Sequence, residues 1–136
     1  MDKVNKVRRT AKNVLKATNG VVDFVSIEEY IKQHGYIVVL YNTPAGDEVA
    51  QRFKVKEKAE QCKAFTLCGL GRIIFIDDNV SAEDKLYLLL HEVGHILLGH
   101  LGDGRLCIRS KVFIELEADA MAYAILKSRH RTSIVS

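Results

Sequence analysis

Tryptophan is absent, proline occurs once, at Pro44, and aromatic residues make up only 7% of the 136 positions. A single proline with nine glycines leaves no room for a proline-rich spacer or a collagen-like repeat. The three cysteines, Cys62, Cys68 and Cys107, are an odd set without zinc-ribbon spacing, so neither a disulfide framework nor a cysteine-rich metal site is expected, and they read as reduced, mostly buried thiols. No apolar run reaches the roughly 18 residues of a membrane span, and the N-terminus lacks the apolar stretch of a signal peptide, so a cytoplasmic protein without membrane association is expected. Strong charge of either sign is missing too. Lys and Arg outnumber Asp and Glu by 20 to 17, a formal charge of +3, too little to make nucleic acid the main partner. The basic residues do cluster before Asn19 (Lys3, Lys6, Arg8, Arg9, Lys12, Lys16) and in Lys127-Ser-Arg-His-Arg131, which reads as solvated helix surface.

What is present is the balance of a globular chain, 48% hydrophobic and 27% charged, of a length that suits one domain spanning 1–136. Val4, Val7, Ala11, Val14 and Leu15 recur at helical spacing and stop at Asn19-Gly20. Ser26-Ile-Glu-Glu29 has capping-box form and predicts a second helix running to His34-Gly35. Tyr36-Ile-Val-Val-Leu-Tyr41 reads as a buried strand, and 45–61 shows no clear period. Lys63–Leu67 and Arg72–Ile76 flank Cys68-Gly-Leu-Gly71 and predict a β-hairpin. Ser81 caps a third helix, apolar through Leu86, Leu89, Leu90, Val93, Leu97 and Leu98, and a last helix is predicted from Lys111 to Lys127.

The third helix carries His91-Glu-Val-Gly-His95. Two imidazoles four residues apart stand about 40° apart on one helix face, one turn above the other, where both can reach one zinc ion. Glu92 then projects beside the metal, where it can take a proton from the attacking water and return it to the leaving amine. A hydrolytic zinc needs one more protein ligand, and His100, Asp103, Glu115, Glu117 and Asp119 are the nearby candidates. His100 lies about 140° further round than His95, so it faces away while the helix lasts and reads as a helix-end charge or cap. Glu115 and Asp119 share a face of the last helix. They suit a division in which Glu115 binds the metal and Asp119 orients a ligating histidine through its other ring nitrogen. Glu117, about 200° round from Glu115, is the fallback ligand.

The hairpin, Ile73-Ile-Phe-Ile-Asp-Asp78, His91-Glu-Val-Gly-His95-Ile-Leu-Leu-Gly-His100 and Glu115-Leu-Glu-Ala-Asp119-Ala-Met-Ala122 together resemble the ImmA/IrrE metallopeptidases over about Lys63 to Leu126. The resemblance implies a small α+β zincin-like fold, in which a short antiparallel sheet packs on the HExxH helix and a following ligand-bearing helix. It implies zinc on His91, His95 and Glu115, and Glu92 as general base. Asp119 falls at the Asn/Asp position of that family's E-x-x-A-(N/D)-x-F-A motif, while Met121 replaces the usual Phe and no Leu-Met-Pro stretch follows Ala122. The family's habit of relieving repression in phages, mobile elements and stress loci implies a protein substrate, a helix-turn-helix repressor. A metal-holding or metal-free relative that inactivates its partner by contact alone, as an anti-repressor or antitoxin, is the competing reading. Direct DNA binding through the basic N-terminal helix is a weaker third. Tyr123, Arg105 and Arg109 lie near enough in sequence to be candidates for stabilising the transition-state oxyanion.

Overall fold

A computed structural model of the chain describes residues 3–67, 71–100 and 111–135. In order these form α1 (Lys3–Ala17), α2 (Phe24–Lys32), β1 (Ile37–Tyr41), α3 (Pro44–Arg52), α4 (Lys56–Gln61), β2 (Ala64–Leu67), β3 (Ile73–Asp77), α5 (Ala82–Leu97) and α6 (Lys111–Val135). The fold is α+β. No helix among the described residues is long and apolar enough to cross a membrane.

The uninterrupted apolar run Ile73-Ile-Phe-Ile76 is the central strand of the sheet, ordered β1-β3-β2 and buried on both faces. Ile74 and Ile76 face the larger core of α1, α2, α5 and α6. Ile73 and Phe75 face a smaller one, where Phe65 stacks on Phe75 at 4.9 Å and Ala50 and Ala59 bring in α3 and α4. The hairpin pairing is antiparallel, with Phe65 opposite Phe75, but β1 joins β3 in parallel, with Val39 opposite Phe75, so the sheet is mixed rather than wholly antiparallel. The chain can add β1 in parallel because α3, α4 and β2 lie between the two strands and return it to the same end of the sheet. As an edge strand β1 is only half-buried, and Tyr41 alone in it is fully covered.

Local chemistry explains the boundaries. Val7, Ala11 and Val14 bury one stripe of α1, which ends where Asn19 (φ 55°) and Gly20 (φ 78°) take left-handed conformations. The α2 cap is Asp23 rather than Ser26: the Asp23 carboxylate accepts from the Ser26 backbone N–H at 2.8 Å, so Ser26 lies inside the first turn. The segment 45–61, without a clear period, supplies two short helices. The first is opened by Thr43, whose hydroxyl accepts from the Gly46 N–H at 3.0 Å, and by Pro44 in the first turn, so the Thr-Pro pair that ends β1 also starts α3. At the other end of the chain α6 runs past Lys127 to Val135.

Replacing Asp23 with alanine is expected to cost about 1 kcal/mol of stability. The backbone bond from Ser26, helped by the Ser26 side chain, holds the Asp23 carboxyl below its ordinary 3.8. A depressed carboxylate contributes in full above its unfolded pKa, and the contribution is lost as pH falls through the lower folded value. Urea denaturation of wild type and Asp23→Ala should therefore show a gap at neutral pH that closes in strong acid; an undiminished gap in acid would reject the cap.

Candidate metal centre

The apolar face of α5 fixes its orientation: Leu86, Leu89, Leu90 and Val93 are buried, which turns His91 and His95, half a turn away, toward α6. The two helices approach closely at Gly94, where a Cβ would sit 3.3 Å from the Ala118 Cα and 3.4 Å from its carbonyl oxygen. Ala118, Met121, Ala122 and Ile125 form the buried stripe of α6, so Glu115 and Asp119, three residues before and one after Ala118, face the histidines.

Glu115 Oε2 lies 3.1 Å from His91 Nε2 and 2.7 Å from His95 Nε2, and the two Nε2 atoms are 3.1 Å apart. Ligand atoms held tetrahedrally by a zinc ion at its usual bond lengths stand about 3.3 Å from one another. The three atoms match that triangle within a few tenths of an ångström, apart from the shorter contact of Glu115 with His95. Glu92 also falls within 4.8 Å of the histidine donor atoms. Its Oε1, however, accepts from the Thr66 hydroxyl at 2.6 Å, so Glu115 is the carboxylate better set to complete a ligand triangle and Glu92 flanks it.

Behind the triangle each histidine has a second partner. His91 Nδ1 lies 2.8 Å from Asp119 Oδ1, as the spacing of Glu115 and Asp119 leads one to expect, and the Tyr87 hydroxyl donates to the same oxygen. Burial, then that bond, drives the Tyr87 phenol well above its ordinary range. His95 Nδ1 lies 2.9 Å from His100 Nδ1, and His100 Nε2 lies 2.7 Å from Glu117 Oε1. His100 thus does not face away. The α5 helix ends at Leu97, Gly99 turns back at φ 76°, and the His100 N–H bonds the His95 carbonyl at 2.9 Å, which folds the imidazole under the helix end. Angular arithmetic could not find this, because it extended a helix that stops three residues short. Thr66, Tyr87 and the new role of His100 are what sequence reasoning missed; the Gly-His pair at the helix end was the one signal for the last.

A cleft of about 290 Å³ opens on the triangle between β2 and the start of α6, with Thr66, Glu92, Glu115 and Lys58 in its lining. Grooves of about 750 and 630 Å³ between α1 and α6 are larger, but apolar and basic side chains dominate their walls, so donor chemistry rather than volume marks the site. Tyr123 is 71% exposed and lines the outer groove, not the cleft, whereas Arg105, Arg109 and Asp103 lie outside the described residues. Burial raises the Glu92 carboxyl above its ordinary value against the opposing Thr66 bond and the charge of His91. Burial also lowers His95, against the pull of Glu115, which favours the neutral imidazole that a metal needs.

A family model described as Peptidase_M78, IrrE N-terminal-like domain, matches residues 59–131, just over half of the chain. No curated protein and no solved structure matches it.

Because the Ala118 backbone occupies the space beside Gly94, Gly94→Val should push α6 outward and carry Glu115 from the histidines. Thermal melts should report a loss of about 1–3 kcal/mol, and elemental analysis should report less bound metal than in the wild type. An unchanged melt together with an unchanged metal content would show that the close approach is dispensable.

Proposed function

The chain belongs to the IrrE N-terminal-like peptidase family, and from that premise we propose that it is a zinc-dependent endopeptidase of the HExxH type, cytoplasmic, acting on a helix-turn-helix repressor-like protein to relieve repression. The observation that carries this reading is the triangle of His91, His95 and Glu115 with a buried, hydrogen-bonded Glu92 beside it.

His91 Nε2, His95 Nε2 and Glu115 Oε2 would hold the ion, two imidazoles and one carboxylate being the donor set of hydrolytic zinc. When bound, zinc supplies Lewis-acid polarisation of the scissile carbonyl and eases ionisation of water. Glu92 takes the proton of the attacking water and returns it to the leaving amine. Its burial favours proton uptake, and the Thr66 hydroxyl aims the carboxylate. Lys58, whose ammonium lies 5.4 Å from the Phe65 ring centre, puts positive charge at the cleft and opposes that uptake. In the strand order β1-β3-β2, β2 has, among the described residues, one edge not paired to another strand, beside the cleft, where an extended substrate segment can add as a further strand. A repressor as the substrate is supported by the resemblance of the motifs at His91–His100 and Glu115–Ala122, and by the protein-cleaving chemistry of the family.

Elemental analysis should find near-stoichiometric zinc in the wild type and in Glu92→Gln, and little in His95→Ala or Glu115→Ala. With a proteome-derived peptide library and mass spectrometry, Glu92→Gln should lower cleavage by about a hundredfold or more. Cleavage that survives Glu92→Gln rejects the assignment of the base. If release of a DNA-bound repressor survives the same change, inactivation by contact replaces peptidase action.

A further inference from the structure

Each of the two histidines of the triangle uses its second ring nitrogen differently. His91 leans directly on a carboxylate, Asp119, whereas the partner of His95 is another imidazole, His100, which in turn meets the Glu117 carboxylate. Building on the metallopeptidase reading above, we propose that Glu117 and His100 form a positioning relay that fixes which nitrogen of His95 is offered to the metal.

The argument is one of proton counting. The contact between His95 and His100 joins two Nδ1 atoms at 2.9 Å, and only one of them can carry the hydrogen between them. If His95 carries it, His95 Nε2 is a free lone pair pointing at Glu115 and His91, and His100 Nδ1 is the acceptor. The neutral His100 then has its hydrogen on Nε2, aimed at Glu117 Oε1 2.7 Å away, and with an ion taking the His95 Nε2 lone pair, which otherwise meets Glu115 Oε2 at 2.7 Å, every nitrogen of the two rings is satisfied. The opposite assignment puts the hydrogen of neutral His95 on Nε2, where it blocks the ligand position, and turns the His100 Nε2 lone pair against a carboxylate oxygen. With the ion bridging His95 Nε2 and Glu115, Glu117 separates the two states, because a carboxylate accepts and does not donate. A carboxylate behind a ligating histidine orients the ring and raises its basicity; here that influence is passed through one more imidazole.

Burial and backbone geometry strengthen the case. The His100 side chain is 1% exposed and that of Glu117 11%, so bulk water is poorly placed to take over either role. The His100 N–H is bonded to the His95 carbonyl, and the left-handed Gly99 sets the turn, so the relay is held to the turn of α5 that it serves. This also explains Glu117 at a position two residues from Glu115. It faces a different flank of α6 and acts through His100 instead of competing for the ion.

The test uses the full chain. Zinc affinity is measured by chelator competition for wild type, Glu117→Leu, Glu117→Gln and His100→Phe, with metal-free melts alongside. Glu117→Leu and His100→Phe are expected to weaken zinc binding by about 10–100-fold. Glu117→Gln, whose amide oxygen can still accept from His100, should fall between them and the wild type, with its metal-free melt unchanged. Nuclear magnetic resonance of the zinc-loaded wild type, with isotope-labelled histidine, should place hydrogens on His95 Nδ1 and His100 Nε2. A hydrogen on His100 Nδ1, or equal zinc affinity in all four proteins, would overturn the relay while leaving the metallopeptidase reading intact. Failure of the wild type to bind zinc would overturn that reading and the relay with it.

Discussion

Gly94 has no side chain, and the space a Cβ would take is bounded by the backbone of Ala118 at 3.3 Å. That contact sets the separation of α5 and α6, and the separation decides what the polar residues can do. With the helices this close, one turn of α6 lays Glu115 across both Nε2 atoms and Asp119 behind His91. The apolar stripes of both helices, Leu89, Leu90 and Val93 on one and Met121, Ala122 and Ile125 on the other, lock the approach by burial. The sheet contributes from the far side: β3 is anchored in both cores, and its partner β2 presents Thr66 to Glu92.

Such a site brings together groups that prefer water. Burial works against charge on both sides, raising the Glu92 carboxyl and lowering His95. Hydrogen bonds answer part of the cost. Asp119 is shared by His91 and Tyr87, Thr66 serves Glu92, and Glu117 serves His100. No buried side-chain nitrogen or oxygen among the described residues is left without a partner. Polar networks satisfied to this degree hold their members in single orientations, which a metal centre requires of its ligands.

Much of this was legible beforehand because helical period is a strong signal over long segments. The period of α5 placed His91 and His95 together, and the same arithmetic paired Glu115 with Asp119 and set Glu117 apart. Reasoning failed where a helix ended sooner, or began differently, than its pattern suggested. The period of α5 carried past Leu97 turns His100 away, Ser26 has the pattern of the cap that Asp23 provides, and Thr43-Pro44 has the pattern of a strand end while it also starts α3. Helix termini are decided by a few local hydrogen bonds, which compete closely with one another and leave little periodic trace.

By itself the sequence determined the longer elements and the candidate donors: an amphipathic helix with two histidines and a glutamate, a second helix with carboxylates on one face, and a doubly buried central strand. These follow from side-chain type and the period of the backbone, which any window of the chain carries. Tertiary structure alone decided that β1 joins in parallel, that Thr66 holds Glu92, and that His100 turns back beneath α5 to stand between His95 and Glu117. Each of those depends on contacts between residues brought together by packing or by a chain reversal, and helical or strand periodicity carries no information about such distances.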